Sequence, residues 1–474
     1  MPKKWLQRNE IDTRIIMLIH QKMLELGFKG NTIGAAVLKD FKNKIGRHLY
    51  ERIYEKAFTS YDEWKIPKST YNGGLVLYKK EEVNNWQNFN EKNYGIAMDI
   101  NSSYPNQAVN YPNIKGKPFD FKNGNCIAML YVKIYEFKLK ENKIAWFSKK
   151  NSFNSEIKYL ENGKECVKWI WENEFEALLK DYYMDYEIIK KVWYKTNDKL
   201  QQWFKEKFEL RDKYKKENNE VMEKLLKLAM NSLTGKFGQS PISLQKKWKI
   251  LVTEEFFNNL PKNEIIIYDE QQYCYQYLEK ENHEKNCKLN HKIIYYHETY
   301  CNKQHHKALV DINGYHHCPT PVDTKRYNNV AVISNITSNA RIHLMSVINN
   351  NNNPQYFKYA DTDSVIFSNA DKIEMPNNEY GKIGSELGNW KIEHTKISDF
   401  IVLRKKAYRL KGFNEKTKKY ETKTVLSGLD KNNSKNIKDD DFKIGYINKN
   451  SKIISKTTKW GNELIETDFK IKEK

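Results

Sequence analysis

Tyr356-Phe357-Lys358-Tyr359-Ala360-Asp361-Thr362-Asp363-Ser364-Val365-Ile366-Phe367 sets two acids, one residue apart, between two apolar runs. The pattern predicts a tight strand-turn-strand in which both carboxylates project from the turn, where a metal ion can reach them. Alone, such a pair is more often a solvated turn. A distant acid changes its weight: Asp99 closes the apolar run Gly95-Ile96-Ala97-Met98 and precedes Ile100-Asn101-Ser102-Ser103-Tyr104-Pro105. Carboxylates carried together by two strand ends can hold two Mg²⁺ (or Mn²⁺) ions about 3.5–4 Å apart, an arrangement suited to in-line displacement at phosphorus.

Residues 201–234 hold no proline and are rich in helix formers, which predicts one long helix. Near its end lies Lys227-Leu228-Ala229-Met230-Asn231-Ser232-Leu233-Thr234-Gly235, with Lys227 and Asn231 on one face. A lysine there reaches a phosphate as a point charge while Asn231 packs against a nucleotide, and on a continuous helix Lys215 flanks the same face. Ordinary surface lysines on a charged helix are the competing reading.

Taken in order, the three segments resemble the polymerase motifs of family B DNA polymerases. Asp99 to Pro105 resembles motif A (Asp-x-x-Ser-Leu-Tyr-Pro), Lys227 to Gly235 motif B (Lys-x-x-x-Asn-Ser-x-Tyr-Gly), and Tyr359 to Ser364 motif C (Tyr-x-Asp-Thr-Asp-Ser). Three shorter matches resemble the protein-primed branch of phages and linear plasmids. They are Tyr71-Asn72-Gly73-Gly74 (Tyr-x-Gly-Gly), Thr337-Ser338-Asn339-Ala340-Arg341 (Thr-x-x-Gly/Ala-Arg) and Lys406-Ala407-Tyr408 (Lys-x-Tyr).

The resemblance implies a DNA polymerase that adds deoxynucleotides to a DNA 3′ end, copying a template, with initiation on a terminal-protein hydroxyl and strand displacement. Asp99 and Asp363 would be the principal Mg²⁺ ligands, with Asp361 adjacent and the Ile100 carbonyl a further one. Ser102, Ser103 and Tyr104 would line the nucleotide site, the tyrosine stacking under the deoxyribose and excluding a 2′-hydroxyl. Lys227 would contact the triphosphate and act as acid toward pyrophosphate, with Asn231 beside it and Lys215 flanking. Tyr71, Gly73 and Gly74 would touch the template, Thr337 and Arg341 would position the strands, and Lys406 and Tyr408 would hold the primer terminus. Ser103 stands where motif A usually has Leu and Thr234 where motif B has Tyr, and the second change removes an aromatic beside the nascent pair.

The implied fold is α+β, the right-hand polymerase arrangement with an antiparallel palm sheet. Residues 1–60 would lead into the palm, 61–105 and 327–425 would form it, and 201–239 would be helical fingers. Residues 106–200 would be a first insertion of the kind that contacts terminal protein, 240–326 an enlarged second insertion, and 426–474 a small thumb. Locally, an opening helix capped by Asp12 and stopped at Gly27 is expected to bury Ile15, Ile16, Leu18, Ile19, Met23 and Leu24. Residues 61–105 read as strands, 240–325 as irregular, and the tail beyond 430 as weakly patterned.

Only Trp5 to Asp12 faintly resembles the last motif of the 3′–5′ exonuclease that members of the branch carry. The expectation is therefore a chain without its own proofreading; whether a separate exonuclease subunit docks on residues 1–60 is left open by the sequence. In the second insertion, Cys287-x-x-x-His291 and Cys301-x-x-x-His305 have spacings a zinc ion could use, against a plain polar loop.

Composition bounds the rest. Lysine and arginine number 81 against 60 acids, a net charge of +21 that suits a polyanionic partner, though the abundance of Lys and Asn throughout also reads as coding bias. Six cysteines in 474 residues are too few for a disulfide scaffold, which fits a reducing cytoplasm, that of the host cell for a virus. No apolar run is long enough to span a bilayer, so no membrane partner is expected. A two-metal nuclease would explain the acids but not Lys227, Asn231, Tyr104 or Lys406. An RNA-templated enzyme would set its acids side by side, whereas Thr362 separates these. A catalytically inactive DNA-binding subunit and a DNA-primed polymerase remain the alternatives.

Overall fold

A computed structural model describes residues 3–149, 158–252, 265–267, 293–297, 309–310, 315–323, 328–378, 381–458 and 461–472. The chain divides into two compact units. One comprises Met1–Gln239, Tyr327–Ile444 and Lys472–Lys474; the other comprises Ser240–Arg326 and Gly445–Ile471.

The first unit is organised by an eight-stranded antiparallel sheet. Its strand order is Val76–Tyr78, Phe357–Asp361, Ser364–Phe367, Gly95–Ile100, Trp390–Arg404, Ala407–Asn414 and Lys419–Leu426, with Gln87–Asn88 paired to Trp390–Arg404. Gly95–Ile100 is buried at every position except Asp99, as a central strand covered on both faces must be. The helix Val330–Ile348 packs against the helices Tyr61–Thr70, Ser103–Asn110, Glu172–Asp181 and Glu220–Phe237. Burial of Phe41, Tyr54, Trp203, Leu226 and Phe237 joins the N-terminal helices to Lys199–Lys216 and Glu220–Phe237. Each such side chain contributes about 1.5–3 kcal/mol.

Between the strand of Asp99 and the helix of Lys227 the chain builds a separate four-stranded antiparallel sheet. Its order is Asn113–Phe119, Tyr182–Asn197, Cys126–Leu139 and Asn162–Trp171. Trp171 leads from its last strand into Glu172–Asp181, and the Trp171 indole N–H donates to Ser334 at 2.9 Å, tying the sheet to the central helix.

Several local expectations give way. Residues 61–70 are a helix rather than a strand: Ser60 accepts from the Glu63 N–H while the Glu63 carboxylate accepts from Thr59, close to a capping box that was legible in Ser60-x-x-Glu63. The long helix is two helices, Lys199–Lys216 and Glu220–Phe237. Asn218 takes a left-handed φ of 56° and Asn219 caps the second helix on the Met222 N–H, tasks for which asparagine is well suited. Lys215 therefore does not share a helix face with Lys227.

The opening helix runs Lys3–Glu25, straight through Asp12, because nothing in that stretch breaks it. Its apolar stripe is not buried as expected: Ile16 and Met17 are each 67% exposed and Ile15, Leu18, Ile19 and Leu24 are exposed as well, with Met23 alone of that set buried. In the second unit, the described residues of the 240–325 segment form a five-stranded antiparallel sheet on Ile242–Val252 and Tyr315–Asp323, and the tail forms the ribbon Ile447–Thr458/Gly461–Lys470.

Candidate active site

Asp361, Thr362 and Asp363 occupy the turn joining Phe357–Asp361 to Ser364–Phe367. Thr362 holds a left-handed φ of 61°, an uncommon state for a β-branched residue. Its N–H donates to the Leu75 carbonyl at 2.7 Å, and the Asp363 N–H donates to the Asp361 carbonyl at 2.6 Å. Gly74 lies so close above that a Cβ there would fall 2.6 Å from the Thr362 side chain. Ser102 and Lys406, with φ of 56° each, are held in the same region. Most other left-handed non-glycine residues are asparagines, for which that state is cheap. Strain at Ser102, Thr362 and Lys406 thus falls on three of the six sequence motifs.

Sheet register brings the distant acids together. Asp99 pairs with Ser364, and the Ile100 N–H donates to the Asp363 carbonyl at 2.7 Å. Asp99 Oδ1 is buried with no hydrogen-bond partner. Burial pushes the Asp99 carboxyl up to about 8, with Asp363 and Glu393 adding to the shift and Lys227 opposing it. Burial likewise pushes Asp363 up to about 6, with Asp361 adding and Lys227 opposing. Lys227, exposed on Glu220–Phe237, is therefore close enough to feel both acids, and Asn231 is exposed on the same helix.

Asp361 differs: its Oδ1 accepts from the Thr362 hydroxyl at 2.9 Å and pairs with Lys406 Nζ at 3.1 Å. Among the described residues, no three His, Cys, Asp or Glu side chains already converge on one metal position. The donor set nevertheless fits a hard divalent cation, since an orphaned buried carboxylate oxygen and neighbouring carboxylates are what such an ion takes. The Cys287, His291, Cys301 and His305 set lies outside the described residues.

Motif A continues into the helix Ser103–Asn110. Ser103 is buried with its hydroxyl unpartnered, and the Tyr104 hydroxyl lies close to the Gly74 N–H. Thr234 is buried, its hydroxyl donating to the Asn231 carbonyl at 2.7 Å. Tyr71 packs on the end of the Lys227 helix, where a Cβ on Gly238 would lie 2.6 Å from its ring. Gly73 has nothing within 4 Å of an added Cβ, so its surroundings within the chain do not require glycine.

The remaining motif residues turn inward. Tyr408 is buried, its ring 4.6 Å from that of Tyr359 and tilted by 43°, with Lys423 nearby, while the Lys406 N–H donates to the Tyr359 hydroxyl at 2.9 Å. Thr337 is buried and donates to the Ser334 carbonyl at 3.0 Å. Arg341 is 3% exposed and fully engaged by Glu174, Asn72 and Gly73. Neither Thr337 nor Arg341 offers DNA a surface here.

Three residues escaped the sequence reading. Arg211 donates to the Ser102 hydroxyl at 2.7 Å and to Glu223 at 2.9 Å, so it is the cation on Lys199–Lys216 that meets motif A. Glu393 sits where the register slips between Ile392 and His394, next to Asp99 and Asp363 and paired with Lys423 at 2.9 Å. A bulge leaves no periodic trace in a sequence. Glu174 is the third.

An antiparallel sheet that sets one acid on a strand beside a second in the adjoining turn, with a lysine of a nearby helix within electrostatic reach of both, is the palm architecture of a DNA polymerase. The chain belongs to the family DNA polymerase type B, organellar and viral, whose model matches residues 16–324. It is 28% identical over 241 residues to the DNA polymerase of Bacillus phage Nf, covering 48% of this chain and 40% of that protein. With the DNA polymerase of Bacillus phage phi29 it is 27% identical over 230 residues, 45% of this chain and 37% of that one. The matched segment thus spans less than half the length of these relatives. Among solved structures, phi29 DNA polymerase complexed with primer-template DNA and incoming nucleotide superposes with a TM-score of 0.68 at 18% identity, covering 95% of this chain and 69% of that one. The same polymerase complexed with single-stranded DNA gives 0.65. The likeness shows a shared α+β polymerase fold.

Proposed function

We propose that this chain is a template-directed DNA polymerase that adds deoxynucleotides to a DNA 3′ end with two divalent metal ions. The observation that carries the reading is the register that sets Asp99 opposite Ser364, and so beside Asp363 in the adjoining turn, with Lys227 within electrostatic reach of both acids. Asp99 and Asp363 would hold Mg²⁺, joined by Asp361 once it leaves Lys406 and by the Ile100 carbonyl; bound there, the ions activate the primer hydroxyl and stabilise the departing pyrophosphate. Lys227 and Asn231 would meet the triphosphate, and Arg211, held at Ser102, supplies a second cation beside motif A. Lys215 would act from the end of its own helix. Tyr104, close to Gly74, would present its ring to the deoxyribose. Tyr71, Gly73 and Gly74 would border the template, and Lys406 the primer terminus.

Kinship with phage DNA polymerases and the three short motifs support initiation on a terminal protein and strand displacement as the finer reading. Extension of a labelled primer on DNA with dNTPs and Mg²⁺, alongside Asp363→Ala, tests the core of it. Extension lost in the variant supports the assignment, and a wild type that binds DNA but never extends, even with a cognate terminal protein supplied, removes it. Transfer of labelled dNMP to that protein tests the priming.

A further inference from the structure

Glu174 has no place in the polymerase motifs, yet it holds one of the most complete side-chain networks in the first unit. It projects from Glu172–Asp181, the helix between the Asn162–Trp171 and Tyr182–Asn197 strands of the four-stranded sheet, toward the central helix Val330–Ile348. Its Oε1 accepts from Arg341 Nε at 2.8 Å, and its Oε2 accepts from Arg341 Nη2 at 2.6 Å and from the Ser338 hydroxyl at 2.8 Å. This two-pronged pair is the strong geometry for guanidinium and carboxylate. The third arm of the arginine goes elsewhere: Nη1 donates to the carbonyls of Asn72 at 2.8 Å and Gly73 at 3.3 Å.

Those carbonyls belong to a loop that touches the catalytic turn. Gly74 lies against Thr362 with its N–H close to the Tyr104 hydroxyl, and the next carbonyl, of Leu75, accepts the Thr362 N–H at 2.7 Å. A continuous run of contacts therefore joins Glu174 to Arg341, Arg341 to residues 72 and 73, and residues 74 and 75 to the turn between Asp361 and Asp363. At Gly73 itself no neighbour would meet an added Cβ within 4 Å, so the backbone carbonyl is the point at which Arg341 holds this residue. Without the arginine fork the Asn72 and Gly73 carbonyls would lose their donor.

We infer that Glu174 is a positioning residue of the active site: through Arg341 it seats the Tyr71–Gly74 loop on the catalytic turn and the motif A tyrosine. The four-stranded sheet insertion, whatever else it contacts, thereby carries a strut of the polymerase centre. Arg341 acts in the same way rather than by touching DNA. The inference rests on the polymerase reading for its kinetic consequence and on geometry alone for its structural one.

A purely structural ion pair is separated from a positioning one by restoring stability without restoring the fork. Glu174→Met leaves a buried guanidinium uncompensated and lowers Tm; adding Arg341→Met removes that charge and returns Tm toward wild type, as exchanges of buried pairs for apolar residues often do. In the double variant, amide exchange at residues 73–75 rises about tenfold or more while that of Ile96 to Met98 stays put, and the KM for primer-template rises about tenfold with a smaller change in kcat. Arg341→Lys, which keeps the charge pair and gives up the reach to Asn72 and Gly73, shows the same loop exchange and serves if the double variant does not fold. Wild-type loop exchange in whichever of these variants folds overturns the inference, as does a wild-type KM. A wild-type protein that extends no primer defeats the polymerase reading alone, because the exchange data still decide the strut.

Discussion

Two acid sites in one unit behave in opposite ways. Glu174 is buried against its charge, and the Arg341 guanidinium overcomes that burial and holds the carboxyl below the usual glutamate range. Asp99 and Asp363 are half-buried, and loss of solvent pushes both up; Asp363 and Glu393 add to the shift at Asp99, Asp361 and Glu393 add to it at Asp363, and Lys227 opposes both without cancelling them. Where the chain supplies its own cation, a buried acid is a structural tie. Where it does not, a buried carboxylate oxygen is left without a partner, which is the opening that the proposed metal would use. Asp361 is a third case, paired with a half-exposed lysine and free to change partners.

The largest effect expected from this contrast is on catalysis. Asp363→Ala should cut primer extension by about a thousandfold or more, since electrostatic stabilisation of the transition state is lost; extension within tenfold of wild type would mean that these acids do not hold the metal.

Next comes stability, where the two sites should move in opposite directions. Glu174→Met should cost about 3–5 kcal/mol by stranding Arg341, whereas Asp363→Ala in metal-free protein should raise Tm by relieving repulsion. Thermal melts of both in chelator decide the matter, and a shift in the same direction would erase the distinction.

The pH dependence sharpens it further. Folded Asp99 and Asp363 keep their protons to about 8 and about 6, above the ordinary aspartate value. Their contribution is thus fully present below the unfolded pKa and lost as pH rises through 6 to 8. Glu174, lowered, contributes above the ordinary glutamate pKa and loses that contribution only as pH falls through its folded value. Melts of metal-free protein should therefore weaken between pH 5 and 8 by about a few degrees, and Mg²⁺ should raise Tm more at pH 8 than at pH 5. A Mg²⁺ effect that is flat with pH would contradict the assignment.

The smallest effect belongs to the intermediate case. Lys406→Ala removes a partly exposed ion pair and should change stability by no more than about 1 kcal/mol. A larger loss in a denaturant titration would place Asp361 with Glu174 rather than with its neighbours.

Much of the site could be read from the chain because its chemistry sits in short motifs. Asp99, Asp361, Asp363 and Lys227 were found by local pattern, and so was the hairpin. Burial was not: the stripe Ile15 to Ile19 satisfies helical periodicity and stays exposed, while Ser334, Asn335, Thr337, Ser338, Asn339, Arg341 and His343 fill a buried helix. Polar side chains can be buried there because the fold gives them partners; periodicity counts apolar positions and knows nothing of partners. Asn218-Asn219 and Ser60-x-x-Glu63 were readable signals of a helix break and a helix start, outweighed by helix propensity in one case and by neighbouring strand-like residues in the other.

By itself the sequence determined the inventory: which carboxylates, lysines and aromatics exist, and which ones backbone spacing presents from a turn or a helix face. These are properties of a few adjacent residues, fixed by the two-residue period of a strand and the 3.6-residue period of a helix. Tertiary structure decided which of those groups meet. The register that sets Ser364 opposite Asp99, the bulge that turns Glu393 toward them and the reach of Arg341 to Asn72 and Gly73 join residues far apart in the chain. Such pairings depend on packing summed over whole sheets and helices. For that reason an acid paired with its own cation and an acid left without one look the same in the sequence and differ only in the fold.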